Sequence, residues 1–211
     1  MKKLLISLIA LVPLWAMAQD NVQGPQAQLR WGVMAAFDCN RAESFMSAGF
    51  DAKVYPGFTL GGNMRYTTTD GCFIEAGLNA GFDHNKLRPA VDGDPRVILD
   101  RWRLSVPVMV GYDWSTDQLC KWIPMVGLEL NYYISTGTGG LPAGVRYSSS
   151  ELWRKVDLAL CAGFGVTFGK HFEVDLLAHM STSKINKNKY QVLESEKYYP
   201  FRGTVGVKYF F

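Results

Sequence analysis

Arg101-Trp102-Arg103-Leu104-Ser105-Val106-Pro107-Val108-Met109-Val110-Gly111-Tyr112-Asp113-Trp114 alternates without a break. Successive side chains of a strand point to opposite sides, so Trp102, Leu104, Val106, Val108, Val110, Tyr112 and Trp114 share one face. Arg101, Arg103, Ser105, Pro107, Met109, Gly111 and Asp113 share the other. Seven large apolar side chains on one face, against two arginines and an aspartate on the opposite one, need an apolar medium as long as the strand. Lipid supplies it, and the pattern is that of a membrane-crossing strand.

The same two-residue period recurs in seven more places. Leu29, Trp31, Val33, Ala35 and Phe37 oppose Arg30, Gly32, Met34, Ala36 and Asp38. Phe58 to Tyr66 oppose Thr59 to Thr67, and Ile74 to Phe82 oppose Phe73 to Asp83. Trp122, Val126, Leu128, Leu130 and Tyr132 oppose Lys121, Glu129 and Asn131. Val156 to Phe168 oppose Lys155 to Thr167, and Phe172 to Met180 oppose His171 to Ser181. The eighth is the terminal stretch Thr204-Val205-Gly206-Val207-Lys208-Tyr209-Phe210-Phe211.

The connections alternate in length. Cys39–Tyr55, His84–Leu99, Ser135–Leu152 and Thr182–Pro200 are long, while Thr68–Gly71, Ser115–Leu119 and Gly169–Lys170 are short. Aromatics of the apolar faces sort by strand end. Trp31, Tyr66, Trp114, Trp122, Phe168, Phe172, Tyr209 and Phe211 fall at one end, and Phe37, Phe58, Phe82, Trp102, Tyr132 and Phe201 at the other, as two girdles would require. The expected fold is all-β: an eight-stranded antiparallel up-and-down transmembrane β-barrel with long outer loops and short periplasmic turns. In a β-sandwich these aromatics would fill a core, and a soluble lipocalin-like carrier would turn its apolar faces inward. Here the charged faces carry the glycines, as a cramped lumen needs.

Both ends of the sequence fit export to such a membrane. Lys2 and Lys3 precede an apolar run from Leu4 to Trp15, and Ala16-Met17-Ala18 satisfies the small-x-small cleavage rule. Residues 1–18 are expected to be a cleaved signal peptide and residues 19–211 the barrel domain. The order polar, any, Gly, any, any, aromatic, any, aromatic in residues 204–211 resembles the C-terminal signal by which outer-membrane barrels are recognised for insertion. Without Lys2 and Lys3 the 22 basic residues become 20 against 19 acidic, a net charge of +1, which argues against a nucleic-acid partner.

Cys39, Cys72, Cys120 and Cys161 have neither CxxC nor zinc-ligand spacing. Three disulfide connectivities are open on paper. Strands two apart lie roughly 9 to 10 Å from each other, beyond disulfide reach, so free, half-buried thiols are expected.

The inward faces carry Arg30, Arg65, Arg101, Arg103, Lys121, Lys155 and Lys208 against Asp38, Glu75, Asp83, Asp113, Glu129, Asp157, Glu173 and Asp175. Near balance argues against a pore lined by one sign of charge. Eight strands leave room for little beyond side chains, and buried charges must pair, so a plugged, salt-bridged interior is expected. Counting across the short turns sets Asp113 nearly opposite Lys121 and Arg65 within diagonal reach of Glu75.

His179, Ser181 and Asp175 share an inward face, the residue types of a hydrolytic triad. No nucleophile elbow accompanies them, and a lumen histidine held in a polar network is the preferred reading. His84 lies at an outer loop edge and His171 at an inner turn, neither with a recognisable partner set. Gly137–Gly144 is glycine-rich without phosphate-cradle spacing. The basic stretch Lys184–Tyr190 reads as a solvated or lipid-A-facing loop, with contact to lipopolysaccharide phosphates or a protein as the alternative. No catalytic, cofactor-binding or metal-ligating residues are expected, and no enzyme activity.

Trp31-Gly32-Val33-Met34-Ala35-Ala36-Phe37-Asp38 resembles the glycine-rich first strand of the PorT-like outer-membrane β-barrel domain family of Gram-negative bacteria. Arg103-Leu104-Ser105-Val106-Pro107-Val108-Met109-Val110-Gly111-Tyr112 resembles its most recognisable strand, of the type Leu-x-Ile-Pro-hydrophobic-x-x-x-Tyr. Val126-Gly127-Leu128 and Gly163-Phe164-Gly165-Val166 match later strands more loosely. The resemblance implies a barrel and assigns no activity, although one family member serves a secretion pathway.

Two functions remain: a non-enzymatic barrel that anchors, binds or assists assembly or secretion through its outer loops, which is preferred, and porin-like transport of small solutes. Expected partners are outer-membrane lipids and lipopolysaccharide, the barrel-assembly machinery acting on the C-terminal strand, and a secretion-system or surface protein. A monomeric barrel is expected.

Overall fold

The structure, a computed structural model, describes residues 27–41, 54–87, 97–115, 120–140, 152–185, 187 and 199–211. Among them are eight long strands: β1 Gln28–Arg41, β2 Tyr55–Thr67, β3 Cys72–Leu87, β4 Val97–Tyr112, β5 Cys120–Gly139, β6 Val156–Phe168, β7 Phe172–Ser181 and β8 Phe201–Phe210. Past Asp113, β4 resumes for Trp114–Ser115. Each strand pairs antiparallel with its neighbours in sequence, β4 with β5 included, and β8 returns to pair with β1. The sheet is therefore a closed up-and-down barrel with no edge, the one strand arrangement that satisfies every backbone group in hydrocarbon.

Polarity is inverted relative to a water-soluble protein. Arg103, Glu129, Glu173 and Asp38 are buried in the lumen, while Leu60, Leu78, Val126 and Trp122 face outward with about half or more of their surface bare. Aromatics gather at the two ends of that outer face. Phe58, Phe82 and Trp102 pack together at one, with centroids 5.1 to 6.0 Å apart. Phe172, Tyr209 and Phe211 pack at the other.

Two inner turns are compact. Gly71, at φ 87°, closes the β2–β3 turn, where the Thr68 amide donates to the Cys72 carbonyl at 2.8 Å. Gly169, at φ 65°, opens the β6–β7 turn. Phe168 lies directly opposite Phe172, which places His171 in the turn rather than in the strand. Residues 116–119, in the turn expected between β4 and β5, and the stretch 1–18, expected to be a signal peptide, lie outside the described residues.

The outer ends differ most from expectation. β3 and β4 run on to Leu87 and from Val97, through segments expected to be loop. There the pattern turns over: Leu87, Val97 and Leu99 point inward and are fully buried, while His84 and Asp100 pair on the outside at 2.5 Å. Alternation persists, but its polarity is that of a soluble sheet, which marks the strands' emergence from hydrocarbon. β5 likewise continues to Gly139. Ser135 faces Trp102 and Tyr133 faces Arg103, so Ile134 is a bulge that rephases the strand and hides its continuation from a two-residue count.

Candidate functional site

The lumen is built in layers. At the periplasmic end Phe210, read as neither face of the terminal strand, points inward and is fully buried. Its ring lies 4.5 Å from the Arg30 guanidinium and 4.7 Å from that of Arg65, which also stacks 4.3 Å from Phe73. Above it Arg65 holds two carboxylates, Glu75 at 2.7 Å through Nε and Glu173 at 2.5 Å through Nη2. Lys208 completes the group, 2.7 Å from both Glu75 and Asp175 and 3.4 Å from Glu173.

A second network fills the next layer. Asp38 accepts from Thr59 at 2.5 Å, Thr204 at 2.7 Å and Arg103 at 3.0 Å, and Arg103 also donates to Asp83. Arg202 reaches both oxygens of Glu129 at 2.7 Å. The expected salt-bridged plug is present, with three amendments. Arg202, two residues before Thr204 on the same face of β8, is a further inward cation. Lys155 is exposed, because β6 begins one residue later at a bend. The plug is also partly apolar: Phe73, Met109, Ile123, Met125 and Cys161 form a buried cluster, joined by Leu177.

The two expected pairs both form, with their geometries exchanged. Arg65 sits directly opposite Glu75. Lys121 is opposite Ser115 and reaches Asp113 diagonally at 2.9 Å. That pair lies at the rim, with side chains 35% and 22% exposed, and contributes less than about 1 kcal/mol. Exchanging its two charges leaves heat-resistant migration in SDS intact, and each single reversal lowers the unfolding midpoint. Equal losses from all three variants would break the assignment.

Histidine, serine and aspartate of the inward face of β7 do not assemble. His179 contacts Glu129, Ser181 donates to Asp157, and Asp175 binds Lys208. His84 pairs with Asp100, and His171 Nδ1 lies 2.7 Å from the Phe210 carbonyl oxygen. Cys39, Cys72 and Cys161 are free thiols, respectively half-buried, exposed and buried.

Toward the outer mouth, a polar cleft is lined by Asn40, Asn85, Arg101, Asn131, Tyr133 and Asp157, with Arg101 stacked 4.0 Å from the Tyr133 ring. Over the β3–β4 side of the mouth sits an apolar cap. Leu152, Trp153 and Ile185 pack on Leu87, Val97 and Leu99. Backbone bonds at 2.9 Å, from Arg154 to Ile185 and from Lys187 to Leu152, join the third and fourth outer connections. Trp153 donates to Thr138 at 2.9 Å, a residue presented by the rephased end of β5. Ile185 is thus a core residue inside the stretch read as a basic loop. Lys184 and Lys187 remain at the surface, and the rest of that loop lies outside the described residues.

Residues 17–185 match the family model for the outer membrane protein beta-barrel domain. The chain belongs to that family. An outer membrane protein beta-barrel domain accounts for the inverted polarity and the girdles, and it places the protein in the outer membrane. Among solved structures the domain is similar to Neisserial surface protein A, with 16% identity, 88% of this chain and 99% of that chain covered, and a TM-score of 0.49. It is similar also to the attachment invasion locus protein Ail of Yersinia pestis, at 12% identity, 88% and 99% coverage and a TM-score of 0.43. The outer membrane enzyme PagL shares 15% identity over 84% of this chain and 97% of its own, with a TM-score of 0.48. No curated protein sequence matches the chain.

Proposed function

We propose that this is a non-enzymatic barrel of the PorT-like kind, exported by residues 1–18, that anchors, binds or assists assembly or secretion at the cell surface and conducts no solute. One observation carries the reading: guanidinium, ammonium and carboxylate groups meet across the lumen, with Phe210 beneath them and the cap above. A solute path would have to break several buried ion pairs at once, each of which costs about 3–5 kcal/mol to leave half-made. The barrel is a monomer among lipids and lipopolysaccharide, inserted by the assembly machinery through its terminal strand. Its outer surface is what remains to meet a secretion-system or surface protein.

Reconstitution into planar bilayers tests the reading. The expected record is silence across the voltages at which open porins pass steady current. Steady unitary steps that disappear when the protein is omitted would replace it with the porin-like alternative.

A further inference from the structure

Glu129 of β5, Cys161 of β6 and His179 of β7 come from three consecutive strands and bring a carboxylate, a thiol and an imidazole within 4.8 Å of one another. Cys161 and His179 are directly opposed in the β6–β7 register, so their side chains leave the wall side by side. His179 Nδ1 lies 2.8 Å from Glu129 Oε2, 3.1 Å from Cys161 Sγ and 3.0 Å from Arg202 Nη2. A ring nitrogen offers one proton or one lone pair, so it satisfies only one of these three contacts by hydrogen bonding. Apart from it, among the described residues the thiol has the Ala159 carbonyl at 4.0 Å. A cation among the three would satisfy them together in place of the Arg202 guanidinium, which now holds both oxygens of Glu129 at 2.7 Å.

We propose that Glu129, Cys161 and His179 form a binding site for a borderline-soft divalent cation of the zinc class. Thiolate, imidazole and carboxylate are the three ligand types zinc takes, and a fourth position stays open. Around such an ion the N···O and N···S edges are about 3.3 and 3.6 Å, so the present separations open by roughly half an ångström. Binding releases the Cys161 proton to solvent, since the thiolate is the ligand. Arg202 gives up Glu129 and turns toward Asp38, whose Oδ1 lies 3.8 Å from its Nε. The ion reaches the site through the outer cleft, which His179, Asp157 and Arg202 all line.

Cobalt is the probe, because thiolate ligation gives it a charge-transfer band that oxygen and nitrogen ligands alone do not. Refolded full-length protein in detergent is titrated with Co²⁺, alongside a variant in which Cys39, Cys72 and Cys120 are serine. The expected result is one Co²⁺ per chain with that band in both proteins, displaced by Zn²⁺. Cys161→Ser abolishes the band, and His179→Gln weakens binding at least tenfold, each in protein that still shows heat-modifiable SDS migration. No saturable band in the wild type, or a band that survives Cys161→Ser, overturns the site. If Cys161→Ser does not fold, the titration of the triple-serine protein decides, because Cys161 is its one thiol.

Discussion

Replacing Arg65 with methionine lowers the unfolding free energy of the barrel by about 3–5 kcal/mol. Methionine keeps much of the volume between Phe73 and Phe210 and removes the charge. Among the described residues, Lys208 is then the cation still in direct contact with Glu75, Glu173 and Asp175. The loss is large because the stranded carboxylates are almost wholly buried and water cannot reach them. Arg65→Lys recovers part of it, since an ammonium restores charge without the fork that reaches Glu75 and Glu173 together or the flat face that stacks on the two rings. Tryptophan fluorescence in urea, with the protein in lipid vesicles, measures both. Lys121→Met at the rim is the comparison, with a loss below about 1 kcal/mol. Similar midpoints for Arg65→Met and Lys121→Met would contradict the buried network.

Gly163→Ala and Gly127→Ala each destabilise by about 1–3 kcal/mol, toward the upper figure because the obstruction is backbone. A methyl group at Gly163 would press into the Leu176 carbonyl oxygen and come within 2.9 Å of the Leu177 Cα. At Gly127 it would press into the Val108 carbonyl oxygen and come within 2.8 Å of the Met109 Cα. Neither obstacle can swing aside as a side chain end would. Gly203→Ala is the contrasting variant, its new methyl meeting Cys39 Cβ at an ordinary 3.9 Å. Both crowded variants are expected to give a smaller heat-modifiable fraction on refolding, with Gly203→Ala near the wild type. Wild-type folding of Gly163→Ala would show that the β6–β7 seam relaxes more freely than its geometry implies.

The hydrocarbon-facing half of the molecule was legible from sequence, because lipid imposes one rule on every crossing strand. Arg101 to Trp114 follows that rule along its length and lies in β4 and its continuation. Short turns made local register countable, which is how Arg65 and Glu75 could be put together. What lies across the lumen was not legible. Arg65 meets Glu173, 108 residues away, through barrel closure and strand tilt, and no local spacing encodes these. The outer ends escaped for a different reason: past Asp83 and Arg101 the solvent changes, so the same alternation means the opposite facing. His179 was correctly read as inward. Its neighbours Cys161 and Glu129 were not connected to it, because ligands drawn from three strands leave no linear motif.

The ion pairs that cross the lumen join strands three places apart in the ring: β1 to β4 through Asp38 and Arg103, β2 to β7 through Arg65 and Glu173, β3 to β8 through Glu75 and Lys208, and β5 to β8 through Glu129 and Arg202. None can form between neighbours in a growing sheet. Seven strands without β8 would leave Glu129 without Arg202, and Glu75, Glu173 and Asp175 without Lys208, so that Arg65 alone would face three buried carboxylates. Assembly therefore has no stable halfway house. The last strand acts as a proofreading step, since only a chain that has put all eight in order brings every charge to its counterpart.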